Sequence, residues 1–222
     1  MRERDSAPKP WGQSPGFGSG DCPPEAGCLG LGWYNRPVRS VVACLGDSIT
    51  EGSPYWDSRR RAGDPEGQWE HWAALRHPEL EFRNFGICGE RTDEIAARFD
   101  AAVEGADVLI VQGGINDIAQ GRAIEPAAAT LRRMAERGLA LGLRVAACDV
   151  LPWNGGWPAK EEPIRRLNAL IHELPVPVLP FHDTLEDPDT PGRMKPEWCN
   201  EDNDHPSIAG YRRLGELAFR LP

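Results

Sequence analysis

The sequence predicts an α/β fold in which helices cover both faces of a parallel sheet. Short apolar runs, typical of buried parallel strands, recur along the chain. Segments with helical spacing and capping residues lie between these runs, which is the order expected for successive βαβ units. The 222 residues are enough for one domain with a substantial hydrophobic core.

Five strands and five helices are predicted from residue 39 onward. The clearest strand is ADVLIVQGG, an apolar run closed by two glycines. The predicted strands are 40–46, 80–87, 106–114, 143–152 and 176–183. The predicted helices are 66–78, 92–105, 125–142, 160–174 and 205–221. Residues 1–38 are rich in Pro and Gly without periodicity, so we predict an irregular N-terminal arm ahead of one domain over residues 39–222.

The composition excludes several functional classes. A net charge of −9 argues against a nucleic-acid partner and against adhesion to anionic membranes. No run of about 18 apolar residues occurs, so no membrane span is predicted. The first residues lack the apolar segment of a secretory signal, and we expect a cytoplasmic protein. Six cysteines are too few for a disulfide scaffold, although Cys22 and Cys28 could pair, and without a Cys/His cluster no metal site is predicted.

Ser48 follows the first predicted strand, and its role can be interpreted in two ways. Glu51 follows it at the S-x-x-E spacing of a capping box, in which the serine hydroxyl accepts a hydrogen bond from a backbone amide. A serine between a strand and a helix is also where an α/β enzyme places a nucleophile. The local pattern alone leaves both interpretations open.

Polar residues at the other predicted strand ends complement Ser48. His205 could act as its base, and Asp202, three residues earlier, could orient the imidazole. The backbone N–H groups of Ser48 and Gly89 and the side-chain amide of Asn116 could donate hydrogen bonds to a developing oxyanion. Each residue alone has a structural alternative as a cap, a turn or a tight connection. Their complementary roles at the same sheet edge predict acyl transfer to a serine.

Four sequence blocks together resemble the GDSL/SGNH hydrolase superfamily. They are Gly46-Asp47-Ser48-Ile49, Asn84-x-Gly86-x-x-Gly89, Gly114-x-Asn116-Asp117 and Asp202-x-x-His205-Pro206, in this order. The resemblance implies a three-layer α/β/α fold of the flavodoxin-like type, with a central, mostly parallel five-stranded sheet. It also implies hydrolysis of carboxylic esters without a metal or organic cofactor.

The resemblance assigns roles to individual residues. Ser48 is the expected nucleophile and first oxyanion donor, and Gly89 and Asn116 are the other two donors. Asp202 and His205 complete the expected catalytic triad. The sequence departs from the family pattern in having Ile49 in the first block, Cys88 before Gly89, and Asp204 beside His205, where a second carboxylate could compete with Asp202.

The substrate is expected to be a small ester, with a short acyl chain or with an O-acetyl group that a carbohydrate could carry. Asp47, Trp56, Trp153 and Trp157 are the candidate substrate-binding residues, because tryptophans in loops at strand ends can form an aromatic wall for a sugar ring or an acyl chain. The same tryptophans could instead only pack loops onto the body. A thioesterase or lipase, and a catalytically silent protein that binds carbohydrate or another protein, are the alternatives; the sequence does not indicate the oligomeric state.

Overall fold

The computed structural model describes residues 39–57 and 59–222. The predicted arm over residues 1–38, and with it the pairing of Cys22 and Cys28, lies outside the described residues. Within them, no helix has the length and apolar character needed to cross a membrane.

The central sheet contains five strands, and every pair of neighbours in it is parallel. In chain order the strands are β1 (Ser40–Gly46), β2 (Trp56–Asp57), β3 (Ala62–Gly63), β4 (Leu80–Gly86), β5 (Val108–Val111), β6 (Arg144–Cys148) and β7 (Val178–Leu179). The sheet order is β4-β1-β5-β6-β7, while β2 and β3 form a separate antiparallel hairpin. This is the flavodoxin-like order, in which the chain reverses direction across the sheet between β1 and β5.

Helices connect the strands and pack on the sheet. They are α1 (Ser48–Glu51), α2 (Trp69–Arg76), α3 (Thr92–Ala97), α4 (Phe99–Val103), α5 (Ile115–Ala119), α6 (Ile124–Ala140), α7 (Glu161–Ile171), α8 (Phe181–Leu185) and α9 (Ile208–Arg213). In α7, Ile164, Leu167 and Ile171 are buried at the three- and four-residue spacing of one helix face. Short 3₁₀ turns at Pro65–Gly67 and Pro196–Trp198 and a π-helical turn at Leu214–Ala218 complete the helical structure.

Both faces of the sheet are buried, which makes the fold three-layered. Successive strand residues point to opposite faces. In β1, Ala43 and Leu45 belong to one hydrophobic cluster with residues of α6 and α7, whereas Val42 and Cys44 belong to a second cluster with residues of α2 and α8. The predicted α/β fold with a central parallel five-stranded sheet is therefore confirmed.

The fifth strand is much shorter than predicted. Residues 176–183 were expected to be extended, but only Val178–Leu179 pair with β6, and Phe181 already begins α8. Pro177 and Pro180 flank the paired segment, and proline cannot donate a ladder hydrogen bond. The apolar character of the run reflects burial of Phe181 and Leu185 on a helix rather than a longer strand.

Two predicted helices are also interrupted. The helix expected over 92–105 is divided into α3 and α4 at Arg98, whose side chain turns toward the ends of β1 and β4. The helix expected over 205–221 begins at Ile208 and changes to a π-helical turn at Leu214.

Candidate active site

Ser48 lies where β1 meets α1, and its hydroxyl does not cap the helix. Asp47 is the N-cap, because its Oδ1 accepts a hydrogen bond from the Ile49 N–H at 3.0 Å. Glu51 accepts a hydrogen bond from the Ser53 hydroxyl instead of completing a capping box. The capping-box interpretation of Ser48 is therefore wrong, because the Asp47 carboxylate already accepts the hydrogen bond from the Ile49 N–H in the first turn of α1. The Ser48 hydroxyl is left available for another partner.

That partner is His205, which lies 157 residues away in sequence. His205 Nε2 lies 3.0 Å from Ser48 Oγ, and His205 Nδ1 lies 2.8 Å from Asp202 Oδ2. When Nδ1 carries the proton and donates to Asp202, Nε2 can accept the hydroxyl proton of Ser48. The structure thus brings the three predicted residues into one chain of hydrogen bonds.

Asp202 is held in place by its own loop. Its Oδ1 accepts hydrogen bonds from the backbone N–H groups of Asp204, at 2.9 Å, and His205, at 3.0 Å. Partial burial raises the pKa of Asp202, but these hydrogen bonds and the His205 ring more than offset it, so that the pKa lies below its ordinary value. An ionised Asp202 is the form that can orient the imidazole and stabilise its charged state.

Asp204 is the second acidic residue of this loop. Among the hydrogen bonds of the described residues, none joins the Asp204 side chain to His205. Its Oδ1 accepts a hydrogen bond from the Trp153 indole N–H at 2.6 Å. The expected competition between Asp204 and Asp202 is thereby avoided, because the second carboxylate is engaged by the loop after β6.

Gly89 and Asn116 lie at the same edge of the sheet as Ser48. The segment after β4 is fastened to the end of β1 by a hydrogen bond from the Ile87 N–H to the Gly46 carbonyl, at 3.1 Å. Gly89 is exposed and has a φ of +81°, a conformation that favours glycine. Asn116, near the start of α5, donates a side-chain hydrogen bond to the Glu90 carbonyl at 2.9 Å. The residues predicted to bind the oxyanion are thus connected to each other through Glu90.

The predicted substrate contact of Asp47 is wrong. The residue is fully buried, and its backbone N–H donates to Gln112 Oε1 at 3.1 Å. Burial raises the pKa of Asp47 to about 6, although the hydrogen bond from the Ile49 N–H and the neighbouring Gln112 side chain act in the opposite direction. A helix cap must face the backbone amides behind the serine, so this side chain points away from solvent.

The three candidate tryptophans do not form one wall. Trp56 lines a cleft of about 500 Å³ beside β4, together with Phe85 and Ile87. Trp153 is half-buried, packs against the core below the β6 end and binds Asp204. The Trp157 ring is more exposed and lies 5.3 Å from the Arg193 guanidinium carbon. Trp56 thus lies beside β4 and Trp153 follows β6, and these two strands are on opposite sides of β1 in the sheet.

Gln112 is a site residue that the sequence interpretation missed. It is buried at the end of β5, and its Oε1 accepts hydrogen bonds from both the Asp47 N–H and the Thr50 hydroxyl. It therefore holds the turn that presents Ser48. The available signal was a single polar residue at the end of an apolar strand, just before two glycines.

One group within the described residues has metal-ligand chemistry, and it is remote from Ser48. His182, Asp183 and Glu186 place possible ligand atoms within 4.8 Å of one another on and beside α8. Glu186 already accepts a hydrogen bond from the Gly192 N–H, and Asp183 is strongly exposed. The Ser48 arrangement itself contains a hydroxyl, an imidazole and a carboxylate in sequence, which suits proton transfer rather than metal binding.

Known proteins share this fold. A G-D-S-L family protein from Desulfitobacterium hafniense superposes with a TM-score of 0.67 at 22% identity, over 80% of this chain and 97% of that one. An acetyl xylan esterase from Geobacillus stearothermophilus gives 0.61 at 19% identity, over 81% and 93%. A lipase/acylhydrolase from Enterococcus faecalis gives 0.62 at 22% identity, over 80% and 91%. These similarities show the common fold.

Sequence comparison goes further than the fold. No curated protein matches the chain significantly. The family model for GDSL-like lipases and acylhydrolases, however, matches residues 44–213, a range that contains Ser48, Asp202 and His205. The chain therefore belongs to the GDSL-like Lipase/Acylhydrolase family.

Proposed function

We propose that this protein is a serine esterase that hydrolyses short-chain or O-acetyl esters through an acyl-enzyme on Ser48. The observation that carries the proposal is the chain of contacts from Ser48 Oγ to His205 Nε2, at 3.0 Å, and from His205 Nδ1 to Asp202 Oδ2, at 2.8 Å. A nucleophile, a base and a group that orients the base are the three parts that this chemistry needs.

The reaction would proceed in two halves. Ser48 Oγ attacks the ester carbonyl carbon while His205 Nε2 takes its proton, and the tetrahedral intermediate collapses when His205 returns that proton to the departing alcohol. Water then attacks the acyl carbon while His205 Nε2 accepts its proton, and His205 passes that proton to Ser48 Oγ as the Ser48–acyl bond breaks and the acid is released. Asp202 stays ionised throughout and stabilises the imidazolium in both halves.

The negative charge on the carbonyl oxygen requires hydrogen-bond donors. Ser48 is the first residue of α1, so its N–H has no partner within the helix. The Gly89 N–H and the free amide proton of Asn116 would supply the other donors, since the hydrogen bond to Glu90 uses one of the two Asn116 protons.

The substrate class is supported by the site and by a relative. The cleft lined by Trp56, Phe85 and Ile87 lies at the end of β4, and Gly89 follows Ile87 by two residues. It therefore offers an aromatic and aliphatic surface beside the proposed oxyanion donors. A structural neighbour with the same fold is an acetyl xylan esterase. Both favour a small acyl group on a carbohydrate-like alcohol.

The test compares hydrolysis of p-nitrophenyl acetate by the wild type, Ser48→Ala and Asp202→Asn. We expect each variant to lose about 10³-fold or more in kcat, because the triad acts as a unit. Ser53→Ala is the control, since this neighbouring buried serine binds only Glu51 through its hydroxyl. Equal rates for the wild type and Ser48→Ala would refute the proposal.

Two further measurements separate the alternatives. A serine-reactive organophosphonate should add to Ser48, as located by peptide mass spectrometry; an unlabelled wild type would favour a silent binding protein. Rates on acetylated sugars, longer aryl esters and acyl-CoA thioesters then rank esterase, lipase and thioesterase activity. Acetylated sugars should be the best substrates of this panel.

A further inference from the structure

The junction of α3 and α4 contains an arginine that reaches back to the edge of the sheet. The Arg98 side chain is 24% exposed. Its Nη1 donates to the Phe85 carbonyl at 2.8 Å, and its Nη2 donates to the Gly46 carbonyl at 3.1 Å. These carbonyls belong to one of the last two residues of β4 and to the last residue of β1, and the two strands are neighbours in the sheet. One guanidinium therefore fixes the two strand ends from which Gly89 and Ser48 follow.

The same guanidinium binds Glu90, the residue after Gly89. Glu90 Oε2 accepts hydrogen bonds from Arg98 Nε at 2.9 Å and from Nη2 at 2.6 Å, and the Glu90 side chain is only 18% exposed. The Glu90 backbone carbonyl also accepts the Asn116 side-chain hydrogen bond at 2.9 Å. Glu90 is thus bound through its side chain to Arg98, which holds the strand ends, and through its backbone to Asn116.

We propose that Arg98 and Glu90 are positioning residues, which together hold Gly89 and Asn116 at the geometry needed to bind the oxyanion. This inference rests on the proposed esterase function. Arg98 also lines the cleft beside Trp56, but its guanidinium is already bound to the Phe85 and Gly46 carbonyls and to Glu90. The two residues act by fixing the peptide on the C-terminal side of Gly89 and the acceptor of the Asn116 amide.

The chemistry of the pair fits this role better than a role in stability alone. A partly buried ion pair contributes little net stability, because desolvation offsets most of the attraction. Arg98, however, makes four hydrogen bonds from three nitrogen atoms spread over its planar guanidinium, and lysine, with three donors on a single nitrogen, cannot reproduce them. Gly89 has a φ of +81°, and a Cβ built there would meet no atom beyond its chain neighbours within 4 Å, so packing at that position does not fix the loop.

The expected consequence follows from how oxyanion binding works. The donors must lie at the position of the charge that develops in the transition state, and a displacement of about 1 Å can cost about 100-fold in rate. Ground-state binding of the ester does not need the same precision. Weakening the Arg98–Glu90 pair should therefore lower kcat and leave KM nearly unchanged.

The test uses Glu90→Gln and Arg98→Lys in the full-length protein, with p-nitrophenyl acetate as substrate. We expect kcat to fall about 10- to 100-fold in each variant, with KM within about twofold of the wild type. Affinity for an arylboronic acid, which forms a tetrahedral adduct with an active serine, should fall by a similar factor. The double variant should lose little more than the worse single variant, because both act on one interaction.

The matched control is Glu81→Gln, which removes a carboxylate that binds Arg83 at 3.0 Å elsewhere on β4. Its kcat should equal that of the wild type. Values of kcat within twofold of the wild type for Glu90→Gln would overturn the inference, whether or not Arg98→Lys folds.

Failure of the proposed function gives a different result. If the wild type and Ser48→Ala hydrolyse the ester equally, the esterase itself is excluded. If Ser48→Ala is inactive and Glu90→Gln is fully active, the esterase stands and only the positioning role is excluded.

Discussion

Gly89 adopts a left-handed backbone conformation, which residues with a side chain rarely adopt. The space around it would nevertheless accommodate a side chain. Its φ is +81°, and an added Cβ would meet no other atom within 4 Å. The glycine is therefore required by the backbone and not by close packing. Gly86, three residues earlier, is the opposite case, because a Cβ there would lie 2.0 Å from the Glu51 nitrogen. The two glycines of this block meet different physical demands.

We expect Gly89→Ala to cost about 1–2 kcal/mol of stability and to lower kcat on p-nitrophenyl acetate by at least tenfold. The chain can relieve the strain by rotating the peptide, and this rotation moves the N–H away from the oxyanion. Gly142→Ala is a matched control, since Gly142 also has a φ of +81° and empty space at its Cβ. Urea denaturation and steady-state kinetics measure both effects.

Gly142 precedes β6, at the opposite edge of the sheet from Ser48. Its alanine variant should lose as much stability as Gly89→Ala and keep full activity. An equal loss of activity in the two variants would contradict the assignment of Gly89 to the oxyanion site.

At the scale of elements, the loop after β6 supports the loop that carries Asp202 and His205. The Trp153 indole N–H donates to Asp204 Oδ1 at 2.6 Å, and the Gly155 N–H donates to the Asn203 carbonyl at 2.8 Å. Because the second loop has few apolar anchors of its own, these polar contacts help to fix it against the body. Trp153 therefore acts in packing the loops together.

A double-mutant cycle tests this contact. Trp153→Phe keeps an aromatic ring but removes the donor, and Asp204→Asn removes the charge of the acceptor. We expect a coupling energy of about 1–2 kcal/mol in the free energy of unfolding, as for a hydrogen bond to a charged group. Additive effects of the two substitutions would show that the contact contributes nothing. The Trp72 N–H, which donates to the Glu66 backbone carbonyl, offers Trp72→Phe as a control that should not couple to Asp204→Asn.

At the scale of the whole molecule, buried carboxylates make the stability depend on pH. Burial raises the pKa of Asp47 to about 6, from an ordinary value of 3.8, and also raises the pKa of Glu70. Asp47 Oδ2 and Glu70 Oε2 have no hydrogen-bond partner among the described residues. The folded protein therefore binds these protons more tightly than the unfolded chain.

The contribution of Asp47 to stability is full below pH 3.8 and is lost as the pH rises through about 6. Asp47→Asn cannot titrate there, and its Oδ1 can still cap α1. We expect the free energy of unfolding of this variant, relative to the wild type, to rise by roughly 2 kcal/mol between pH 4 and pH 7. Urea titrations across this range provide the measurement.

Asp64→Asn is the control for loss of a capping carboxylate, because the Asp64 side chain caps an exposed 3₁₀ turn. A stability difference between Asp47→Asn and the wild type that stays constant from pH 4 to pH 7 would contradict the prediction.

Much of the fold could be predicted because the periodicity of apolar residues reports burial directly. The run over β5 is apolar at every position, as expected for a strand covered on both faces, and all four of its residues are buried. The range predicted for the last strand was too long, because a buried helix and a buried strand can be equally apolar in sequence. Pro177 and Pro180 mark the true limits of this strand, but the prediction followed the apolar residues on either side of them.

The candidate site could be predicted in its residues but not in its supports. Ser48, Asp202 and His205 follow predicted strands with a distinctive spacing, whereas Arg98 and Gln112 fall inside the predicted helix 92–105 and the predicted strand 106–114. Arg98 looks like any surface arginine until its partners, the Phe85 and Gly46 carbonyls, are known. Backbone carbonyls carry no sequence signal, so such contacts cannot be inferred from residue types.

The sequence by itself determined the parallel sheet, the order of its elements and the set of polar residues at one sheet edge. These follow from local patterning, which needs no knowledge of distant contacts. The sequence already favoured Asp202 as the partner of His205. Only the tertiary structure decided that Trp153 engages the competing carboxylate of Asp204, and that Asp47 rather than Ser48 caps the first helix. The first outcome depends on the distance between residues that are remote in sequence and the second on the direction of a side chain at a turn, and neither is encoded in spacing alone.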